Sequence, residues 1–176
     1  MAGTSVSGTE KRYRKMRLVV HELVATGAGE AAGGGLGGGG YETNVAIGTT
    51  ALDSNTTGQN NIAIGYSALT ANTTGANNVA IGDDAMNAST VAVRNVGIGT
   101  DALGLLTTGT DNIAIGATAL DANTTGVENV AIGTDALGAN TLGDGNVAIG
   151  DDALLLNTTG VNNIAVGRDA LKTQTV

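Results

Sequence analysis

Polar and apolar positions recur along residues 44–176 with a period of 17. The centre of the pattern is Asn-[Val/Ile]-Ala-[Ile/Val]-Gly, with Gly97 once in place of the Ala. It begins at Asn44, Asn61, Asn78, Asn95, Asn112, Asn129, Asn146 and Asn163, with no insertion or deletion between copies. In Asn61-Ile62-Ala63-Ile64-Gly65, alternation puts Ile62 and Ile64 on one face of a strand and Ala63 on the other. Ala68 and Leu69 follow after two variable residues, then the polar loop Asn72-Thr73-Thr74-Gly75. Each copy therefore predicts one firm strand, a tight turn after its Gly, a short second strand near Ala68-Leu69, and a return loop. A strict period this short marks a solenoid, in which each repeat is one rung and stacked rungs make the core. A triangular hexapeptide helix needs an aliphatic residue every six positions. That spacing fails at Thr70 and Asp53, so a flattened, two-sided β-roll fits better. Eight rungs at about 4.8 Å each give a rod of roughly 40 Å.

Stacking turns repeat positions into columns. The column beginning Val45, Ile62, Val79 and the column beginning Ile47, Ile64, Ile81 are expected to line the interior. The column Leu52, Leu69, Met86, Leu103, Leu120, Leu137, Leu154 and Leu171 is expected to face them. The Asn column can bond its amides to the backbone of the next rung. One column then remains outside: Ala46, Ala63, Ala80, Gly97, Ala114, Ala131, Ala148 and Ala165. A small apolar stripe facing water suits close approach of another backbone. It is the expected oligomer interface, with an identical chain as partner and a homotrimer as the expected assembly.

Composition and charge divide the chain further. There is no Cys, Pro, Trp or Phe, and only three Tyr. Residues 1–26 carry mixed charge. Ser7 and Glu10 fit a capping box, and Tyr13, Met16, Val20 and Leu23 have the spacing of a self-associating helix. Arg17-Leu18-Val19-Val20 reads equally as a strand. Residues 27–40 hold nine Gly and read as a flexible linker. Residues 41–176 are the repeat array. The first 40 residues sum to +2 and the array to −10. Such a rod should repel nucleic acid. No stretch is long and apolar enough to span a membrane, and the start lacks the apolar region of a secretory signal.

Candidate chemistry is thin. His21 is the only histidine and lies outside the array, so no catalytic triad can be assembled from unique residues. The chain reads as a non-enzyme with no cofactor and no metal. The glycine run lacks the Lys-Ser/Thr pair of a phosphate loop. Asp84, Asp101, Asp135, Asp152 and Asp169 share one turn column with Thr50, Ser67 and Thr118. Stacked carboxylates could hold a cation, but interchange of Asp, Ser and Thr favours residues that bond their own turn. Asn55, Asn72, Asn87, Asn123 and Asn157 stand in Asn-x-Ser/Thr sequons and read as turn residues. The loop Asn87–Arg94 lacks its glycine, and the next has Leu105 and Leu106 at usually polar places. Arg168 and Lys172 lie in the last rung, where their charge should discourage end-to-end stacking.

The motif Asn78-Val79-Ala80-Ile81-Gly82 and its seven relatives resemble the head repeat of YadA-type trimeric autotransporter adhesins, and the resemblance covers residues 44–176. It implies a trimeric, left-handed parallel β-roll. The longer Asn-Thr-Thr-Gly return loops resemble segments of bacteriophage fibre and other virion proteins. A signal peptide, coiled-coil stalk and membrane anchor, which the adhesins carry, are not expected from this sequence. The resemblance therefore implies a virion fibre, spike or capsid-decoration protein, assembled in the host cytoplasm and attached by its N-terminus. Tyr13, Arg14, Met16, Arg17, Val20 and Leu23 are the residues expected to bind a phage capsid or tail protein. A host-surface glycan or protein is a further expected partner of the rod. The alternative is the head of a bacterial adhesin on the cell surface.

Overall fold

The structure, a computed structural model, describes residues 43–173. The attachment residues Tyr13, Arg14, Met16, Arg17, Val20 and Leu23, His21 and the glycine linker lie outside the described residues.

The described chain is all-β, without helix. It has one three-residue strand per repeat: β1 (Val45–Ile47), β2 (Ile62–Ile64), β3 (Val79–Ile81), β4 (Val96–Ile98), β5 (Ile113–Ile115), β6 (Val130–Ile132), β7 (Val147–Ile149) and β8 (Ile164–Val166). They form one parallel sheet in chain order. Ala63 pairs with Ala46 on one side and Ala80 on the other, so every step of register is one repeat. The 17-residue repeat is therefore one rung of a parallel β-solenoid, as its period implies.

The second strand near Ala68-Leu69 does not form. That side of the rung is a run of turns in which positions such as Ser67 and Leu69 take φ of 53° and 51°. Left-handed backbone is costly for a leucine. Hydrogen bonding between rungs holds it there. Ile62 N–H donates to Asn78 O (2.8 Å), Leu69 N–H to Ala85 O (3.1 Å) and Thr73 N–H to Thr90 O (2.9 Å). Rungs are thus bonded along the axis through strand, turn and loop alike. Glycine is required where the strand ends. Gly82 has φ 139°, and a Cβ on it would lie 2.4 Å from Gly99 O in the next rung.

The faces of the strand are the reverse of those expected from the sequence. Ala63, Ala80, Ala114, Ala131 and Ala148 are fully buried within the single chain, Ala165 nearly so, Gly97 is buried, and Ala46 packs against the core. The Val and Ile columns lie outside. Ala46, Ala63, Ala80, Gly97, Ala114, Ala131, Ala148 and Ala165 therefore cannot be the subunit contact, because their own chain already covers them. The reason is the thinness of the rung. A Cβ built on Gly97 would stand 2.9 Å from Met86 Cγ and 3.1 Å from Ala102 O. A methyl fills the space between the two walls, and an isoleucine would not fit. Alternation separates the two faces, but available volume selects which is inside. The Leu column is inside, as expected, from Leu52 to Leu154, while Leu171 is exposed in the last rung.

A buried amide column completes the interior. Asn61, Asn78, Asn95, Asn112, Asn129 and Asn146 are fully buried. Asn112 N–H donates to Asn95 Oδ1 (2.9 Å), and its Nδ2 donates to Asn95 Oδ1 (3.1 Å) and Gly126 O (2.8 Å). Its own Oδ1 accepts from Asn129 N–H (3.0 Å) and Nδ2 (3.2 Å). Each amide clamps the next rung to its own and tethers the loop behind it. Replacing Asn112 with Ala would orphan several of these buried groups at about 1–3 kcal/mol each. Asn112→Ala is expected to destabilise the rod by roughly 3–5 kcal/mol, read as a fall in the urea midpoint. A change below about 1 kcal/mol would show that the column is incidental to stability.

Candidate interaction surface

The exposed face of the sheet carries two β-branched residues per rung and no charge. Ile113 and Ile115, in the middle of the rod, are each 38% exposed. At the last strand Ile164 and Val166 are more exposed still. Across eight strands the apolar surface is on the order of 1,000 Å², well above what a monomer usually leaves in water. Parallel sheets are normally covered on both faces. Here one face rests on the chain's own Ala-Leu interior, and the other presents its Val and Ile columns outward.

Polar columns border this face. On one side stand Tyr66, Asp83, Asp151 and Arg168, and on the other Asn60, Asn77, Arg94, Asp111 and Glu128. Arg94 grips Asp111 of the next rung with two bonds of 2.7 Å. That pairing raises the guanidinium pKa and holds the Asp111 carboxyl below its ordinary value. Arg168 pairs with Asp151 at 3.2 Å. Lys172 bridges Asp152 (2.7 Å) and Asp169 (2.9 Å), which raises its own pKa. Both basic residues of the last rung are therefore engaged by carboxylates of their own chain.

The Asp/Ser/Thr turn column adopts left-handed backbone throughout, from Thr50 (φ 60°) to Asp169 (φ 56°). Short polar side chains tolerate that conformation. They also bond between rungs. Thr118 Oγ1 donates to Asp135 Oδ1 at 2.6 Å, and the Thr50 and Ser67 hydroxyls lie 3.1 Å apart. Among the described residues, no group of three or more His, Cys, Asp or Glu is placed to hold a metal ion. No helix among them is long and apolar enough to cross a membrane.

The sequon residues are structural. Asn72, Asn123 and Asn157 are fully buried. Asn123 Nδ2 donates to Gly126 O (3.2 Å), and Gly126 N–H returns to Asn123 Oδ1 (3.0 Å). Asn55 bonds Gly58 O in the same way, and Asn87 bonds Asp84. The irregular loops are adjustments of the interior. Leu106 and Ser89 occupy the inward place held by Asn in other rungs, while Leu105 and Val91 are exposed. The sequence shows that these loops differ but not that two of their residues are interior. No family model, curated protein or solved structure matches the chain.

On the turn side, Asp121 is a carboxyl held against its charge. Partial burial, and then the neighbouring Asp101 and Asp135, raise its pKa. A carboxyl held more protonated in the folded state favours folding at low pH. That contribution is lost as pH rises from the ordinary value, about 3.9, through the raised one. Asp121→Asn should therefore raise the melting temperature at pH 7 by about 1–2 °C, a small gain because solvent screens the site. The gain should vanish below about pH 4. Equal melting temperatures at pH 7 would show that Asp121 is not under strain.

Proposed function

We propose that this chain is a non-enzymatic structural protein whose rods associate through the Val/Ile face of the sheet. The observation that carries the proposal is the uncharged apolar face running the length of a parallel sheet. A second copy is the occupant it fits best. The face repeats every rung, so an identical face matches its spacing. Its area also suits a stable interface between like chains. Three copies around a common axis would cover all three faces, which agrees with the trimer implied by the resemblance.

The biological setting that best accounts for this architecture is a bacteriophage virion. In this reading the rod is a fibre, spike or capsid decoration. Residues 1–26 bind the capsid or tail, and the glycine linker of residues 27–40 absorbs mismatch in symmetry. The loops, facing away from the subunit contact, are left to meet a host-surface glycan or protein.

Two experiments test the two parts. Ile113→Glu with Ile115→Glu should leave a folded, β-rich chain and dissociate the oligomer in sedimentation, because two carboxylates would otherwise be buried without partners. Ala131→Glu, by contrast, should abolish the fold itself. An oligomer unchanged by the paired Ile substitutions would rule out the sheet face as the contact. For attachment, a chain lacking residues 1–26 should fold as a rod and fail to incorporate into particles. Normal incorporation would place the attachment in the array.

A further inference from the structure

The two ends of the rod are complementary, because every rung bonds its neighbours through one repeated set of groups. Between the seventh and eighth rungs, Val147 N–H donates to Asn163 O (2.8 Å), Leu154 N–H to Ala170 O (2.9 Å) and Gly167 N–H to Ile149 O (2.7 Å). Asn163 N–H donates to Asn146 Oδ1 (2.9 Å). β1 and β8 are the edge strands of the sheet. On the outer side of β8 the same groups are Ile164 N–H, Leu171 N–H, Val166 O and Asn163 Oδ1, and no described residue bonds them. The first rung presents their counterparts on its own outer side: Asn44 O, Ala51 O, Gly48 N–H and Asn44 N–H.

The apolar surface of the eighth rung is open in the same way. Leu154 is fully buried, whereas Leu171 is 44% exposed, and Ile164 and Val166 are 70% and 67% exposed. A Cβ on Gly150 would lie 2.5 Å from the Gly167 carbonyl, while one on Gly167 would meet nothing within 4 Å. An edge of this kind invites another strand.

Charge selects the strand it takes. The eighth rung is the one rung whose basic residues, Arg168 and Lys172, outnumber its acidic ones, and the first rung carries a single charge, Asp53. Lys172 and Asp53 hold the same position of the repeat. Side chains at that position lean onto the rung before. A Cβ on Gly104 would lie 2.6 Å from Asp121 Oδ1, and one on Gly138 would lie 3.1 Å from Leu155 Cδ1. A first rung stacked on the eighth therefore brings Asp53 onto Lys172. Lys172 Nζ donates to Asp152 and Asp169, and an ammonium has a third proton to give.

We infer that copies of this chain join head to tail, the first rung of one stacked on the eighth rung of another in the register of the internal junctions. The contact is heterologous and does not close on itself, so it builds a filament. It is separate from association through the Val/Ile face, which runs along the rod rather than across its end. Eight rungs per copy give an axial repeat of about 38 Å.

The test follows the full chain by sedimentation velocity and negative-stain electron microscopy over a range of concentrations. The expected result is rods in multiples of about 38 Å that lengthen with concentration. Width reports the sheet-face contact and length the end contact, so either can fail alone. Leu171→Glu should hold the rods at single length with the β-rich spectrum kept. Its carboxylate is solvated at a free end and buried in a stacked one. Asp53→Lys, an exposed change, should move growth to about tenfold higher concentration by setting like charges together. It also decides the matter should Leu171→Glu fail to fold. Rods of one length at every concentration, or growth that a folded variant of either kind leaves unchanged, would overturn the inference.

Discussion

Everything in this rod depends on hydrogen bonds that run parallel to its axis. Three strand residues per rung would make a weak sheet by themselves. The bonding continues through the turns and loops, so each rung is fastened to its neighbours around most of its circumference. The bonds fix the distance between rungs. They also hold leucines such as Leu69 in a left-handed backbone that they would not adopt alone. Glycine after each strand is the direct consequence, since the carbonyl of the next rung occupies the place a Cβ would need.

Close stacking leaves a thin interior. Its contents are alanine methyls, a column of leucines with Met86 among them, Leu106 in the fourth rung, and amides. Amides serve here because both ends of the group can be satisfied. The oxygen accepts from the rung above, and the nitrogen donates to the rung below and to its own loop. The thin interior also explains why the bulky aliphatic residues are outside. A core too narrow for isoleucine leaves two branched columns with no cover from their own chain. The pressure to associate thus arises from the same constraint that holds the rungs together.

Departures from the repeat are local and compensated. Met86 approaches the alanine column where that column has Gly97, so a longer side chain is met by a missing methyl. Ser89 and Ala92 change together because a full amide cap and an alanine cannot share the loop. Arg94 enters with Asp111 on the next rung, and the two charges are joined by a bidentate pair. A repeat protein tolerates such changes when the neighbouring rung absorbs them.

The period, the number of rungs, the firm strand after each anchor Asn, the inward leucines and the amide column are all legible in the sequence. Each is a matter of spacing, and an uninterrupted 17-residue period admits one stacking register. The run of turns opposite the strand is not legible. Its residues include Ala and Leu, whose preferences do not announce left-handed backbone. The direction of the strand's two faces is not legible either. Ile62-Ala63-Ile64 states that alanine opposes isoleucine, and hydrophobicity alone then assigns the larger residues to the core. The tertiary structure decides otherwise. The backbone of the opposite wall stands too close for anything larger than a methyl, and the distance between two walls is written in no single repeat.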